Sequence, residues 1–440
     1  MITKKIIERA TLTPEKVAIE YGSQSISYGN LTRSIEQYSN KLFSVSNDTV
    51  LFNSDPVTNL LGVLACNLIG KRAIVLPHDL DVTILENIIS ESKGIIYEDF
   101  KFVDLGNTKP VKPAGNKVFL GILSSGSSGK PKLIWKTNNN WESAFSSQSE
   151  IFGISVEDKV FVLDSLAYSA NLNTALHTLW QGGTLYLGTL GQSRNWNLQM
   201  KEKGITSAFL VPSHCKLLLN GNGVKPPLRS LVTAGEKLDK ETASGILDNL
   251  EGIRLTEYYG AAELGHITYH QGEDIINFPA SVGTAFPEVE IKIVDEQILV
   301  KSPFVSPDYK EKSTVNDLGF FNGNRLVLLG RAGRMFNRRG LNIYAQEIES
   351  IALGCEFISE AVLIQNLNGY KKDKLTLYIT KKGNGEQDAV DQLKAYLFKK
   401  LPSAKRPNFI VEMPEIPHSE AGKVDFRALS KMGEEEVALV

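Results

Sequence analysis

Ile122-Leu123-Ser124-Ser125-Gly126-Ser127-Ser128-Gly129-Lys130-Pro131-Lys132 decides the reading of this chain. An apolar run, Val118 to Leu123, leads into it and reads as a strand. Lys132-Leu133-Ile134-Trp135 leads out of it as another. A strand on each side argues against a plain Ser/Gly linker. Gly126 and Gly129 let the backbone come close to a ligand and turn its N–H groups inward. Ser124, Ser125, Ser127 and Ser128 add hydroxyl donors, and Lys130 and Lys132 add positive charge. Such a loop suits a polyphosphate. It is not the P-loop of nucleoside triphosphatases. Its glycines stand too close together, and Pro131 follows the lysine where that motif needs Ser or Thr and then a helix.

At 440 residues the chain exceeds one ordinary core, so two or more domains are expected. With 42% hydrophobic and 22% charged residues the composition is that of a soluble globular protein. A net charge of −2 gives no general electrostatic case for nucleic acid or an acidic membrane. Cys66, Cys215 and Cys355 are far apart and read as buried thiols of a reducing compartment, not as a disulfide framework or a zinc site. Met1 to Ala10 lacks the apolar core of a signal peptide. Leu60 to Leu76, the longest apolar stretch, is interrupted by Asn67 and Lys71-Arg72, so no membrane span is expected. These features together predict a cytoplasmic protein.

Along the chain, Val17 to Tyr21 and Ser25 to Tyr28 flank Gly22-Ser23 as a hairpin. Leu31, Ile35, Tyr38 and Leu42 have helical spacing, Leu60 to Leu68 reads as a buried helix, and Ala73 to Pro77 as a short strand. Beyond the Ser/Gly loop, strands are expected at Val160 to Leu163, Gly183 to Leu187, Ala208 to Val211 and Leu231 to Val232. Helices are expected between them at Asn173 to Trp180 and His214 to Leu219, and then at Lys240 to Leu250. This alternation predicts an α/β fold of mainly parallel sheets covered by helices, with ligands at the carboxyl ends of strands. Near the end, strands at Ala361 to Gln365 and Leu375 to Ile379 with a helix at Val390 to Leu401 predict a small α+β domain. His266 and His270 are four apart but lack the glutamate of a zinc-protease helix, and they read as strand or loop histidines.

Ser124 to Lys132 resembles the phosphate loop of the adenylate-forming superfamily, which contains acyl-CoA synthetases, peptide-synthetase adenylation domains and luciferases. Further motifs follow in that family's order. Thr233-Ala234-Gly235-Glu236 resembles the segment lining the adenine pocket, which implies roles for Gly235 and Glu236. Tyr258-Tyr259-Gly260-Ala261-Ala262-Glu263, expected in a loop after a strand at Ile253 to Leu255, resembles the Tyr-Gly-x-Thr-Glu motif. The resemblance implies that Tyr259 stacks on adenine beside Gly260 and that Glu263 helps to hold Mg²⁺. Ala262 stands where the family's threonine would touch the α-phosphate. Asn316-Asp317 resembles the Gly-Asp that grips the ribose, with Asn tolerating a left-handed backbone best after Gly. Gly330-Arg331 opens the hinge motif, and Arg331 is expected to reach the ribose too. Gly333 occupies the pivot position. Arg338 to Glu349 resembles the next motif, with Asn337 and Ala345 as departures, and its basic residues read equally as a solvated run or as a contact for CoA phosphate. Lys423, in Pro417 to Asp425, a stretch that resembles the Ser-Gly-Lys motif, matches the catalytic lysine.

What the resemblance implies is an ATP- and Mg²⁺-dependent ligase. A carboxylic acid attacks the α-phosphate to give an acyl-adenylate and pyrophosphate, and the thiol of CoA or of a carrier protein then takes the acyl group. The expected division is an N-terminal adenylation domain at 1–332 and a small, mobile C-terminal lid at 333–440 carrying Lys423. Tyr168 and Ser169 fall where amino-acid-activating members place an aromatic residue and the aspartate that pairs with the substrate amine. Ser169 carries no charge, so the expected acid lacks an α-amine. Tyr168 and Asn173 are placed to hydrogen-bond an aryl hydroxyl, and a fatty acid stays open. Two rivals remain: a non-catalytic AMP- or ATP-binding member, distinguished by the absence of pyrophosphate release, and a luciferase-like oxidase, distinguished by oxygen consumption.

Overall fold

The computed structural model describes residues 1–77, 80–98, 101–103, 118–124, 132–221, 223–338, 341–365, 374–382, 389–418, 424–426 and 428–429. Two compact units emerge. The first comprises Met1–Lys292, Leu299–Val315 and Asn324–Leu326, and the second Ile293–Ile298, Asn316–Gly323 and the chain from Val327 onward.

The first unit is built on two sheets. A nine-stranded sheet runs, in spatial order, Thr284–Ala285, Gly265–Gln271, Arg254–Ala261, Ser230–Ala234, Ser207–Phe209, Lys159–Leu163, Thr184–Gly188, Val17–Tyr21 and Gln24–Ser27. Its six strands from Arg254–Ala261 to Val17–Tyr21 are parallel, and the flanking ones antiparallel. A six-stranded sheet runs Lys101–Val103, Ile95–Glu98, Thr49–Asn53, Arg72–Val75, Val118–Ser124 and Lys132–Thr137, parallel at its centre. Helices Asn138–Phe152 and Ser169–Gln181 touch strands of both sheets.

Local chemistry explains the connections. Tyr21 pairs with Gln24, so Gly22-Ser23 is a two-residue hairpin turn, and Gly22 supplies the positive φ that the turn requires. Helix Tyr28–Phe43 begins where the Ser27 side chain accepts from the Asn30 N–H, so Tyr28, expected in the strand, opens the helix instead. Asp55 caps Pro56–Ile69 by accepting from the Val57 and Thr58 N–H groups. Thr137 and Asn140 form a capping box at Asn138–Phe152. The strand expected over Ala208 to Val211 stops at Phe209, because Pro212 opens helix Pro212–Leu219 as its first residue. Leu231 and Leu255 of the nine-stranded sheet are buried in one apolar core with Leu238, Ala243, Ile246 and Trp196.

The second unit contains a three-stranded sheet of Ile358–Gln365, Leu375–Lys381 and Phe409–Glu412, with helices Ala345–Leu353 and Ala389–Lys400. Ile348, Leu363, Leu377, Leu393 and Leu397 form its core. Met335–Arg338 and Leu341–Tyr344 pair as a two-stranded ribbon. A large unit of mixed, mainly parallel sheets and a small α+β unit are the architecture expected from the sequence.

Candidate active site

Three motif segments meet at the carboxyl edge of the parallel strands. Lys159–Leu163 leads to Tyr168, which stands at the N-cap of helix Ser169–Gln181. Ser230–Ala234 leads to Gly235-Glu236, and Arg254–Ala261 leads to the turn carrying Glu263. The register sets Ala234 opposite Tyr258, which puts Gly235-Glu236 beside Tyr259-Gly260. Gly235 has φ +98°, in the region that favours glycine. The expectation that Tyr258 to Ala261 form a loop is corrected here: they are the last residues of the strand itself. Antiparallel pairing to Gly265–Gln271 keeps the chain extended, with a register shift between Tyr259 and Gly260. A Cβ on Gly260 would stand 2.5 Å from the Gly265 carbonyl oxygen, so that close approach demands glycine.

Alternation along this strand separates two environments. Tyr258 packs among Phe152, Phe209, His266 and Phe286. Tyr259 points to the opposite side, the side of Glu257. On the Tyr258 side, Gln148 donates Nε2–H to Asn173 Oδ1 at 2.9 Å and to the His266 ring at 2.8 Å. Its Oε1 is buried with no hydrogen-bond partner among the described residues. Burial first, then His177 and Lys136, drive His266 down to about 3, so it is neutral at pH 7. Ser149 Oγ lies 2.8 Å from His177 Nε2, and burial brings His177 down to about 4.

Ser124 ends strand Val118–Ser124 and pairs with Lys132 across the hairpin. Residues 125–131, with Ser125, Gly126, Ser127, Ser128 and Gly129 among them, lie outside the described residues. The Ser124 Oγ is buried and has no hydrogen-bond partner among the described residues. An unmet donor at the mouth of a Ser/Gly loop fits a phosphate oxygen. The segment Pro303 to Ser306 connects this hairpin to the Glu263 turn. Asn140 Nδ2 donates to Pro303 O at 3.0 Å and Val305 O at 2.8 Å, and Lys136 Nζ reaches Phe304 O at 3.4 Å. On its other side, the Ser306 N–H donates to the Glu263 carbonyl at 2.8 Å.

Glu263 is half-buried, and a hard-oxygen carboxylate near the segment expected to hold phosphate fits the ligand set that Mg²⁺ takes up with nucleotides. Lys136 is an addition that the sequence reading lacked. It is 1% exposed within strand Lys132–Thr137, and burial pushes its ammonium down to about 7, with Glu263 acting in the opposite direction.

In the second unit, Asp317 opens strand Asp317–Asn322 and Arg331 closes strand Arg325–Arg331. The two form an ion pair at 2.9 Å. Asn316 has φ +64°, the left-handed backbone expected of a residue standing in for glycine. Gly333 lies in the turn Ala332–Arg334, without a positive φ and with open space where a Cβ would be. Arg338 donates to Ala404 O, Arg406 O and Asn408 Oδ1, so it braces the backbone of its own unit. Lys423 lies outside the described residues.

His266 and His270 both lie on strand Gly265–Gln271, as expected. Among the described residues no group of three or more His, Cys, Asp or Glu side chains is placed to hold a metal. Cys66, Cys215 and Cys355 are buried free thiols, and burial raises that of Cys215 to about 12. Among the described residues no helix is long and apolar enough to cross a membrane.

This fold and these ordered motifs define an adenylate-forming enzyme of the acyl-CoA ligase type. The profile of the AMP-binding enzyme family matches residues 79–309, more than half of the chain, and the chain belongs to that family. It is 26% identical to an uncharacterized acyl-CoA ligase, YhfT of Bacillus subtilis, over 99% of each chain. It is 23% identical to a putative long chain fatty acid-CoA ligase, VraA of Staphylococcus epidermidis, over 93% of this chain and 94% of that one. Among solved structures, its fold matches O-succinylbenzoate coenzyme A synthetase (MenE) from Bacillus subtilis in complex with AMP. The TM-score is 0.82, with 20% identity over 96% of each chain. ATP-bound MatB from Rhodopseudomonas palustris matches with a TM-score of 0.84, at 17% identity over 99% of each chain.

Proposed function

We propose that this enzyme activates a carboxylic acid without an α-amine and passes it to a pantetheine thiol. A carboxylate oxygen attacks the α-phosphorus of ATP, and the bond to the bridging oxygen of the β-phosphate breaks, releasing pyrophosphate. The thiol sulfur then attacks the acyl carbon, its proton goes to solvent, and AMP leaves. The observation that carries this reading is the shared edge at which Gly235-Glu236, Tyr259-Gly260 and the Glu263 turn stand side by side. Gly235, Glu236, Tyr259 and Gly260 would hold the adenine, Asp317 and Arg331 the ribose, and the loop from Ser124 to Lys132 the phosphates. Glu263 would hold Mg²⁺, which when bound neutralises phosphate charge. Lys423 would stand at the reacting centre during the first step only, with Gly333 as the pivot of its domain.

Ser169, Asn173, Gln148 and neutral His266 offer hydrogen bonds and no carboxylate. An ammonium group on the acid would be held by none of these four. The open acceptor on Gln148 suits an acid whose distal end carries a hydroxyl or N–H, which favours a hydroxylated aryl acid over a plain fatty acid. Pyrophosphate release measured across aryl, fatty and α-amino acids tests this. Turnover is expected with aryl acids. Robust adenylation of an α-amino acid alone would overturn the substrate assignment, and no release with any acid would favour a nucleotide-binding member without turnover.

A further inference from the structure

Beneath the adenine segment lies a buried charged cluster to which the reading above gives no task. Glu257, on strand Arg254–Ala261, is 3% exposed and uses both carboxylate oxygens. Oε1 accepts the Leu238 N–H at 2.6 Å, and Oε2 accepts from Lys237 Nζ and lies 2.5 Å from His270 Nε2. His270 faces Glu257 directly across the strand pair. Burial works to raise the carboxyl of Glu257, but His270 and Lys237 outweigh it and hold it below its ordinary value.

The placement of this cluster suggests its purpose. Lys237 and Leu238 follow Gly235-Glu236 immediately, within the link between strand Ser230–Ala234 and helix Lys240–Asn249. Gly235, in its left-handed conformation, turns the link at one end. Glu257 holds it at the other, through one backbone N–H and one side chain. Glu257 also lies two residues before Tyr259 on the same side of its strand. One rigid strand therefore carries Tyr259 and anchors the segment beside it.

We propose that Glu257 is a positioning residue for the nucleotide: through Lys237 and Leu238 it fixes the Gly235-Glu236 segment against Tyr259, so that the adenine slot is formed before ATP arrives. This inference rests on the reading that Gly235-Glu236 and Tyr259 line the adenine site. A preformed slot lowers the ordering cost of binding without touching the reacting atoms, so it affects affinity for the nucleotide and not the chemical step.

The test compares Glu257→Gln, Lys237→Met and Tyr259→Ala in the full chain. The Gln variant keeps the volume and one acceptor for Leu238 but loses the charge that holds Lys237. Expected for Glu257→Gln is a rise of about tenfold in KM for ATP, the effect of losing one charge-assisted bond. Its kcat should stay within about twofold and the KM for the acid should not move. AMP binding measured by calorimetry should weaken by the same factor. Lys237→Met, changed at a partly exposed position, should show a smaller rise with the same pattern and guards against a folding failure in the first variant. If Tyr259→Ala raises KM for ATP while both cluster variants leave it unchanged, the positioning role is overturned and the adenine site stands. If none of the three moves it, the adenine assignment falls, and the positioning role with it. Equal loss in kcat and in both KM values would mark the cluster as a general support of the fold and overturn the proposal.

Discussion

Arg331 donates its Nε–H to Oδ1 of Asp317 across 2.9 Å. Asp317 is buried, and the guanidinium fixes the direction of its carboxylate. A carboxylate held this way is suited to accept from the two hydroxyls of a ribose. Asp317→Ala is expected to raise KM for ATP by about ten- to a hundredfold, the range for losing hydrogen bonds to a charged group. The KM for the acid should stay unchanged. Steady-state kinetics with each substrate varied in turn checks this, and a change confined to the acid would remove Asp317 from the ribose site.

Glu263→Gln removes a charged oxygen ligand and almost no volume. Pyrophosphate release should then need a higher Mg²⁺ concentration, and the strengthening of ATP binding by Mg²⁺ that is expected of the parent should be lost. Calorimetric ATP titrations with and without Mg²⁺ provide a readout separate from turnover. An unchanged Mg²⁺ dependence would take Glu263 out of the metal site.

Lys136 makes stability depend on pH in the direction opposite to that of a lysine or histidine whose pKa a partner raises. Its ordinary value is 10.5 and its folded value about 7. Between the two, the unfolded chain binds a proton that the folded protein does not, so stability rises with pH. The contribution is at most about 1.4 kcal/mol per pH unit. Urea unfolding of the parent and of Lys136→Met at pH 7, 8 and 9 isolates it, because other groups cancel in the comparison. The parent should gain stability with pH relative to the variant. Parallel pH profiles would mean that Lys136 keeps its proton in the fold.

Lys423 is expected to serve one half-reaction. Removing one preorganised donor typically costs about 10²–10³ in rate. Lys423→Ala should lose at least that much in acyl-adenylate formation. Supplied with preformed acyl-adenylate and a thiol, the same variant should form thioester at nearly the parental rate, since a domain that moves between steps takes the lysine away. Equal loss in both half-reactions would count against that alternation.

Much of this architecture was legible in the sequence because its signals are local. The strand–helix alternation and the Gly22-Ser23 turn each depend on a few adjacent residues. Tyr258 to Ala261 read as a loop because Gly260 looks like punctuation. In the fold that glycine instead permits the close approach of Gly265 within a hairpin. Leu210-Val211 looked like more strand, yet Pro212 had already committed the chain to a helix. The polar group of Gln148, Asn173 and His266 had no local signature, since it draws on two helices and a strand far apart in sequence. Lys136 was equally hidden: a lysine at the end of an apolar strand reads as a surface residue, and its burial, with Nζ reaching the Phe304 carbonyl, depends on a segment far away in sequence.

The central claim is that this chain forms an acyl-adenylate. The most direct measurement incubates it with ATP, Mg²⁺ and a mixed library of carboxylic acids, without any thiol, and identifies the products by mass. The account predicts one acyl-AMP or a small family of them, from acids without an α-amine, with pyrophosphate in equal amount, and conversion to a thioester when CoA or a pantetheine carrier protein is added. ATP bound and left intact in the presence of every acid would contradict it.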